Sequence, residues 1–334
     1  AALHRHLERL GELRRQVLSR DPPPLHGLAP HLDPRFCAVV DRCLRREPRE
    51  RFASAGELRS ELLKLVPGAR RAVIPEGNPY RGLNAFAAEH RDLFYGRDSE
   101  TRMILERLVG DPFVLVAGDS GVGKSSLCRA GVLPRLDECL GLERRWTAVS
   151  LVPGPHPVAS LAAALAPVLG EAQGALEQLI KSDAAGLARR LEAWSHSGTG
   201  LVLLVDQLEE LITLADVDEA AAASEVLGWL AASTRGTRLL ATVRGDFLSR
   251  VALLPRVGDQ VSRALFFLRP LTPERLRDAV LEPARAKGVR FEPASLVEEL
   301  VDAAVEAGSG GLPLLQFALA ELWQARDGQT ISRR

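Results

Sequence analysis

Lysine is nearly missing from this chain of 334 residues. Lys64, Lys124, Lys181 and Lys287 stand against 39 arginines. An excess of either charge is missing too: 43 basic and 43 acidic residues leave a formal net charge of zero. Such a balance gives no general electrostatic pull toward nucleic acid or an anionic membrane, so neither partner is expected. Cysteine is sparse. Cys37, Cys43, Cys128 and Cys139 include no C-x-x-C pair and no histidine at a zinc-finger offset, which argues against a disulfide scaffold and a structural zinc site. Four reduced thiols suit the cytoplasm, the location expected here. Long apolar runs are absent: stretches such as residues 201–205 fall far short of the ~18 residues of a membrane span. Residues 1–16 are charged and lack the apolar core of a signal peptide. Met103 is the lone methionine and the chain does not begin with one, so it is expected to be a piece of a longer polypeptide.

What remains is ordinary folded composition, 46% apolar and 26% charged, with length for about two domains. Residues 33–66 read as two helices. Asp33 is placed to cap the first and Pro34 to open it, and Phe36, Val39, Val40, Cys43 and Leu44 recur at helical spacing. Ser54-Ala-Gly-Glu57 has the spacing of a capping box, and Leu58, Leu62, Leu65 and Val66 follow on one face. Pro67, Gly68, Pro75, Gly77 and Pro79 make residues 67–79 a linker. From residue 80 short apolar runs at 113–117, 147–152, 201–205, 238–243 and 264–268 alternate with helical stretches. That pattern predicts an α/β fold with a parallel sheet covered by helices on both faces. After Pro270 the strands are expected to stop. Thr272-Pro273-Glu274 opens a helix with Leu271 and Leu276 as a hydrophobic staple, and residues 293–306 and 312–326 give two more. The domains are therefore 1–66, the linker 67–79, a core over 80–270 and a helical subdomain over 271–334.

Gly118-Asp-Ser120-Gly121-Val122-Gly123-Lys124-Ser125 matches the phosphate-binding pattern G-x-x-x-x-G-K-[ST] between a strand and a helix. The glycines let successive backbone N–H groups face one anion, and the helix N-terminus adds partial positive charge. Lys124 is placed to reach the β- and γ-phosphates and the Ser125 hydroxyl to bind Mg²⁺. Asp119 is unexpected beside phosphates, and its side chain is expected to point away. The run 201–205 delivers Asp206 to the edge of the sheet where ligands bind, placed to hold Mg²⁺. Either Glu209 or Glu210 can polarise the attacking water, or both can cap the next helix. The run 238–243 delivers Arg244, placed either to sense the γ-phosphate or to pair with Asp246 or Asp206.

Seven segments together resemble the STAND ATPases, and within them the novel STAND NTPase 1 group. They are Asn78-Pro-Tyr-Arg-Gly-Leu83, Phe94-Tyr-Gly-Arg97, the phosphate loop continuing into Ser126-Leu-Cys-Arg-Ala-Gly131, Val205-Asp-Gln-Leu-Glu-Glu-Leu211, Thr242-Val-Arg-Gly-Asp-Phe247, Pro270-Leu-Thr-Pro273 and Gly311-Leu-Pro-Leu314. The resemblance covers about residues 78–330. It implies a P-loop NTPase sheet of the ASCE type, bound ATP or ADP with Mg²⁺, slow hydrolysis, and a nucleotide switch that self-associates. It also implies that Phe94 and Arg97 contact the nucleotide, that Arg244 is the sensor arginine, and that Pro313 packs near the adenine. Val152 departs from the pattern, where an arginine is expected. Gln207, where many ATPases carry Glu, keeps a non-hydrolysing scaffold open. A DNA-gripping motor is disfavoured by the neutral charge and the absence of a clustered basic helix.

Residues 1–66 resemble the end of the C-lobe of a bacterial Ser/Thr protein kinase, through Asp41-Arg-Cys-Leu-Arg-Arg-Glu-Pro48-Arg-Glu-Arg51-Phe-Ala-Ser-Ala55. The glycine-rich loop, β3 Lys, H-R-D and D-F-G elements are absent from the sequence, so this segment cannot itself transfer phosphate. The remainder of a kinase is expected upstream and sensor repeats downstream.

Overall fold

The computed structural model describes residues 22–63, 65, 74–140, 144–195, 198–233 and 236–333. The chain divides into two compact units, residues 1–73 and 74–334. The described part of the first is helical, with α1 (Pro34–Cys43) and α2 (Ala55–Leu63) as its main elements. Asp33 caps α1 as expected, its carboxylate accepting from the Arg35 N–H at 2.8 Å. The expected apolar face does not close over itself: Phe36 and Leu44 remain exposed, and Cys37 is the buried residue of α1. At α2 the Ser54 hydroxyl accepts from the Glu57 N–H, while Glu57 reaches back to the Ala53 N–H. Residues 66–73, and with them Val66 and the first half of the expected linker, lie outside the described residues, as does Lys64.

The second unit is built on a five-stranded, all-parallel sheet. Its strands are β1 (Phe113–Gly118), β2 (Arg145–Leu151), β3 (Thr199–Val205), β4 (Thr237–Arg244) and β5 (Leu265–Phe267), in the spatial order β2-β3-β4-β1-β5. β4 lies between the strand that feeds the glycine loop and the strand that delivers Asp206, the arrangement of an ASCE-type P-loop sheet. β1 and β3 are apolar over Phe113–Ala117 and Leu201–Val205, and β4 over Leu239–Ala241, because helices cover both faces. The period of two divides them. Leu115, Leu203 and Ala241 enter one core with α4 (Pro157–Leu169), α5 (Gln173–Ser182), α6 (Ala184–Ser195) and α7 (Val217–Ala232). Val116, Leu204 and Leu240 enter the other with α3 (Asp98–Gly110). Among the described residues no single helix is long and apolar enough to cross a membrane. The apolar pair α4 and α5 commits Leu161, Leu165, Leu176 and Ile180 to the sheet's core.

The helix after the loop is irregular. It opens as α-helix at Lys124–Ser126, widens to a π-helix over Leu127–Val132 and tightens to 3-10 at Leu133–Arg135. Pro134 has no N–H to return to the preceding turn. The Arg135 guanidinium instead donates to the Ala130 and Gly131 carbonyls, at 3.1 and 2.7 Å.

Past Pro270 come α8 (Pro273–Ala286), α9 (Ser295–Glu306) and α10 (Gly311–Gln324). Contrary to the sequence expectation, strands do not stop there: β6 (Arg290–Glu292) and β7 (Thr330–Ser332) pair in parallel. Each buries one apolar residue, Phe291 and Ile331, too few to show a period in sequence. This subdomain has its own core, joined by Tyr80, whose ring meets Trp323 edge-on. The Tyr80 hydroxyl donates to the Val280 carbonyl, and burial pushes the phenol's pKa up. Asn78 donates to the Ala320 carbonyl and accepts from the Tyr80 N–H, so the Asn78-Pro-Tyr segment anchors the chain to α10. Gly311 lets α9 and α10 meet: a β-carbon there would run into the Ala304 carbonyl oxygen. Gly311→Ala should therefore lower stability by about 1–3 kcal/mol despite the better helix propensity of Ala. Chemical denaturation tests this, and an unchanged midpoint would mean that the close approach of α9 and α10 does not depend on the missing β-carbon.

Candidate functional site

The glycine loop leaves the buried β1 strand at Gly118 and returns as helix at Lys124. Gly121 and Gly123 hold φ of 78° and 96°, left-handed backbone that a β-carbon disfavours. The loop sits at the wall of a cavity of about 380 Å³, a size suited to a small-molecule ligand. Ser120, Gly121, Val122, Gly123, Lys124, Ser125 and Ser126 all line it, with Gln207, Glu209, Thr242 and Arg244 from the neighbouring strand ends. The Lys124 ammonium donates back to the Gly118 and Asp119 carbonyls at 2.8 and 2.7 Å. Burial lowers its pKa, opposed by the charges of Glu209, Asp119 and Asp206. Asp119 itself is exposed.

Asp206 is the centre of the polar side of the site, at 1% exposure. Its Oδ1 accepts from the Ser125 hydroxyl at 2.8 Å and the Thr242 hydroxyl at 2.6 Å. Its Oδ2 pairs with the Arg129 guanidinium at 2.7 Å. Arg129 belongs to the Ser126–Gly131 segment that follows the phosphate loop. Its position on the π-helical turn, one residue past Cys128, aims it at the end of β3. The oxygens of Ser125 and Asp206 fit a hard cation such as Mg²⁺, which takes one or two protein oxygens and fills its remaining positions with water and phosphate. Among the described residues no group of three or more His, Cys, Asp or Glu gathers to hold a metal by itself.

The two glutamates separate. Gln207 takes a φ of 60°, its N–H donating to the Thr242 hydroxyl at 2.8 Å, and the Leu208 N–H donates to the Thr242 carbonyl. That tight turn carries Glu209 into the cavity at 6% exposure, where its carboxylate accepts from the Arg244 N–H at 3.3 Å. Burial raises the Glu209 carboxyl above its usual pKa. Glu210 begins the next helical turn and its carboxylate accepts from the Gly154 N–H at 2.9 Å, away from the cavity. Arg244 lines the cavity, but its guanidinium pairs with Asp246 at 2.7 Å and lies over the Phe247 ring. That is one of the two pairings left open by the sequence.

Arg97 is buried and its guanidinium is committed to the fold. It donates to the Val122 carbonyl of the loop and the Arg269 carbonyl, each at 2.9 Å, and pairs with Glu100 at 3.0 Å. Glu100 in turn binds Arg275 of α8 at 2.7 Å. Arg97 thus lines the cavity while it braces the loop and ties it to the helical subdomain. Phe94 lines the cavity with its ring tilted against Phe86. Pro313, in the first turn of α10, lies directly on the loop: a β-carbon on Gly121 would stand 2.6 Å from its Cγ.

Among solved structures, the Aeropyrum pernix ORC1 protein in complex with DNA is similar at 20% identity and a TM-score of 0.50, over 72% of this chain and 63% of that one. A Walker-type ATPase of Pyrococcus abyssi is similar at 15% identity and a TM-score of 0.48, over 74% and 73%. The Aeropyrum pernix ORC2 protein with ADPNP and ADP is similar at 16% identity and a TM-score of 0.48, over 70% and 63%. At such identities the likeness concerns the fold, a P-loop ATPase sheet. The present chain spans less than two thirds of the length of both ORC proteins. No curated protein matches it. A family model, Novel STAND NTPase 1, matches residues 79–334.

Proposed function

The chain belongs to the novel STAND NTPase 1 family, and from that premise we propose that its second unit is an ATP- and Mg²⁺-binding switch with slow hydrolysis. The observation that carries the proposal is the contact of Pro313 on Gly121 beside Lys124. The phosphate loop and the helical subdomain wall one cavity, so a ligand in it touches both. Nucleotides that differ by one phosphate then make different contacts and bias the relation between sheet and helices.

The residues divide the work as follows. Backbone N–H groups of residues 120–125 cradle the phosphates, and Lys124 exchanges its two carbonyl partners for phosphate oxygens. Ser125 and Asp206 would hold Mg²⁺, which when bound would offset phosphate charge. Glu209, partly desolvated and facing the cavity, accepts a proton from the attacking water. Arg244 turns from Asp246 toward the terminal phosphate. Arg97 keeps the loop in shape rather than binding nucleotide itself. Pro313 presents a flat apolar ring, without an N–H, at the cavity wall near the base. The Arg244–Asp246 pair favours a second reading, a scaffold that binds nucleotide without hydrolysis. Phosphate release by the purified chain separates the two.

Lys124→Ala is expected to weaken ATP binding roughly 10- to 100-fold through loss of charge-assisted hydrogen bonds. Isothermal titration with ATP·Mg²⁺ measures this, and intact affinity would refute the site assignment. We also infer that residues 1–66 end a Ser/Thr kinase C-lobe, within a longer cytoplasmic signalling protein that self-associates through its NTPase unit and carries sensor repeats downstream. In the isolated segment Arg51 donates to the Arg45 and Arg46 carbonyls, which keeps the turn after α1 in shape. The similar ORC1 protein is seen in complex with DNA, but DNA binding by the present chain is not expected at zero net charge. A salt-dependent mobility shift by this chain would reverse that.

A further inference from the structure

The Gln316 carboxamide lines the cavity, yet its Oε1 is shielded from solvent and has no hydrogen-bond partner among the described residues. An acceptor left so costs free energy until something donates to it. Its place on α10 indicates what that donor is. Pro313, Gln316 and Ala320 fall at i, i+3 and i+7 and share one helix face. Pro313 touches Gly121 of the phosphate loop, and Ala320 touches Gly82, where a β-carbon would stand 3.7 Å away. Gln316 is the middle residue of that face, between the phosphate loop and the segment 82–86. The apolar side chains of Phe86, Phe94, Leu271, Ala279 and Leu312 share the cavity walls with the polar residues of the phosphate loop and the strand ends. Arg97, the buried cation of this wall, has committed its guanidinium to Val122, Arg269 and Glu100.

We propose that Gln316 reads the edge of the nucleotide's base, and that the base is a 6-aminopurine. This rests on the nucleotide-binding reading above and names the residue that gives it base selectivity. A carboxamide holds one acceptor and two donors side by side. That pair matches the amino group and adjacent ring nitrogen of adenine, the two-point contact that Gln makes with adenine elsewhere. The terminal torsion of Gln is broad, so the amide turns toward the cavity without leaving its rotamer. A cavity wall whose buried acceptor lacks an N–H donor discriminates against a purine that lacks the amino group.

The test uses the whole 334-residue chain, wild type and Gln316→Met, which keeps length and volume but removes the amide. Equilibrium dialysis gives affinities for ATP, for purine riboside triphosphate, which lacks the 6-amino group, and for inorganic tripolyphosphate, which lacks the base. Wild type should hold ATP about tenfold tighter than purine riboside triphosphate. Gln316→Met should erase that difference, because the loss from ligand and protein is the same bond counted once. Tripolyphosphate reports the phosphate end and the integrity of the variant. A tenfold ATP preference retained in Gln316→Met, or absent from wild type, overturns the proposal while a Lys124-dependent phosphate site stands. If neither ATP nor tripolyphosphate depends on Lys124, the nucleotide-binding reading falls and this inference with it.

Discussion

Asp206→Ala should lower the unfolding free energy by about 3 kcal/mol. The carboxylate is 1% exposed and serves three donors at once: Ser125, Thr242 and Arg129. Removing one partner of a buried pair leaves the other uncompensated, at about 3–5 kcal/mol. The lower end applies because Arg129 keeps 34% of its side chain in solvent and can turn outward. Thr242 cannot, since it lies at 1% exposure. Pairing Asp206→Ala with Arg129→Ala separates the contributions. The double variant should be more stable than the sum of the single losses predicts, because the second change removes the orphaned charge. Strict additivity in urea unfolding would mean that Arg129 and Asp206 are not coupled. The same pair bears on function. Arg129 holds the carboxylate oxygen that Ser125 does not, so the acid stays charged-paired and oriented before any cation arrives. Arg129→Ala should then raise the Mg²⁺ concentration needed for tight ATP binding if the arginine pre-orients Asp206, and lower it if the arginine competes.

What the sequence made legible was what is written locally. The glycine loop depends on adjacent residues and one strand-to-helix junction, and the apolar central strands reveal themselves because both of their faces are buried. The parallel pair Arg290–Glu292 and Thr330–Ser332 joins segments about forty residues apart by one buried side chain each, and no local period records that. The ranking of Glu209 over Glu210 was equally out of reach. It depends on the left-handed turn at Gln207, held by Thr242 from another strand, and on Gly154 lying where it can take up Glu210. Arg97, which the family resemblance marks as a nucleotide contact, lines the cavity and also donates to Val122, Arg269 and Glu100, partners that lie apart in sequence and leave no local signal. Gln316 carried no motif of its own. Its signal lies in the three-residue spacing from Pro313, which becomes informative only once Pro313 is seen against Gly121.

Glu209→Gln should cut ATP hydrolysis by about 10²–10⁴-fold, the range for loss of a positioned general base, with ATP affinity little changed. Glu210→Gln should leave hydrolysis near wild type, because that carboxylate is engaged with the Gly154 N–H rather than the cavity. Equal rates for wild type and Glu209→Gln would support the non-hydrolysing scaffold instead. Stability supplies an independent readout. Burial is the largest influence on Glu209 and raises its carboxyl pKa, against the downward pull of its own and Arg244's N–H groups and of the Lys124 and Arg244 charges. A raised folded-state value means the protonated form is the one the fold favours. Its contribution is complete below the ordinary glutamate value, about 4.3, and is lost as pH rises through the higher folded-state value. Gln cannot ionise and suffers no such loss. The melting temperature of Glu209→Gln should therefore gain on that of wild type as pH rises through this window, then hold its lead at neutral pH. A variant that is slower at hydrolysis and more stable near neutrality is the signature of a carboxylate kept buried for chemistry at the expense of the fold. A lead that shrinks as pH rises would mean instead that the contacts of the ionised carboxylate outweigh its burial.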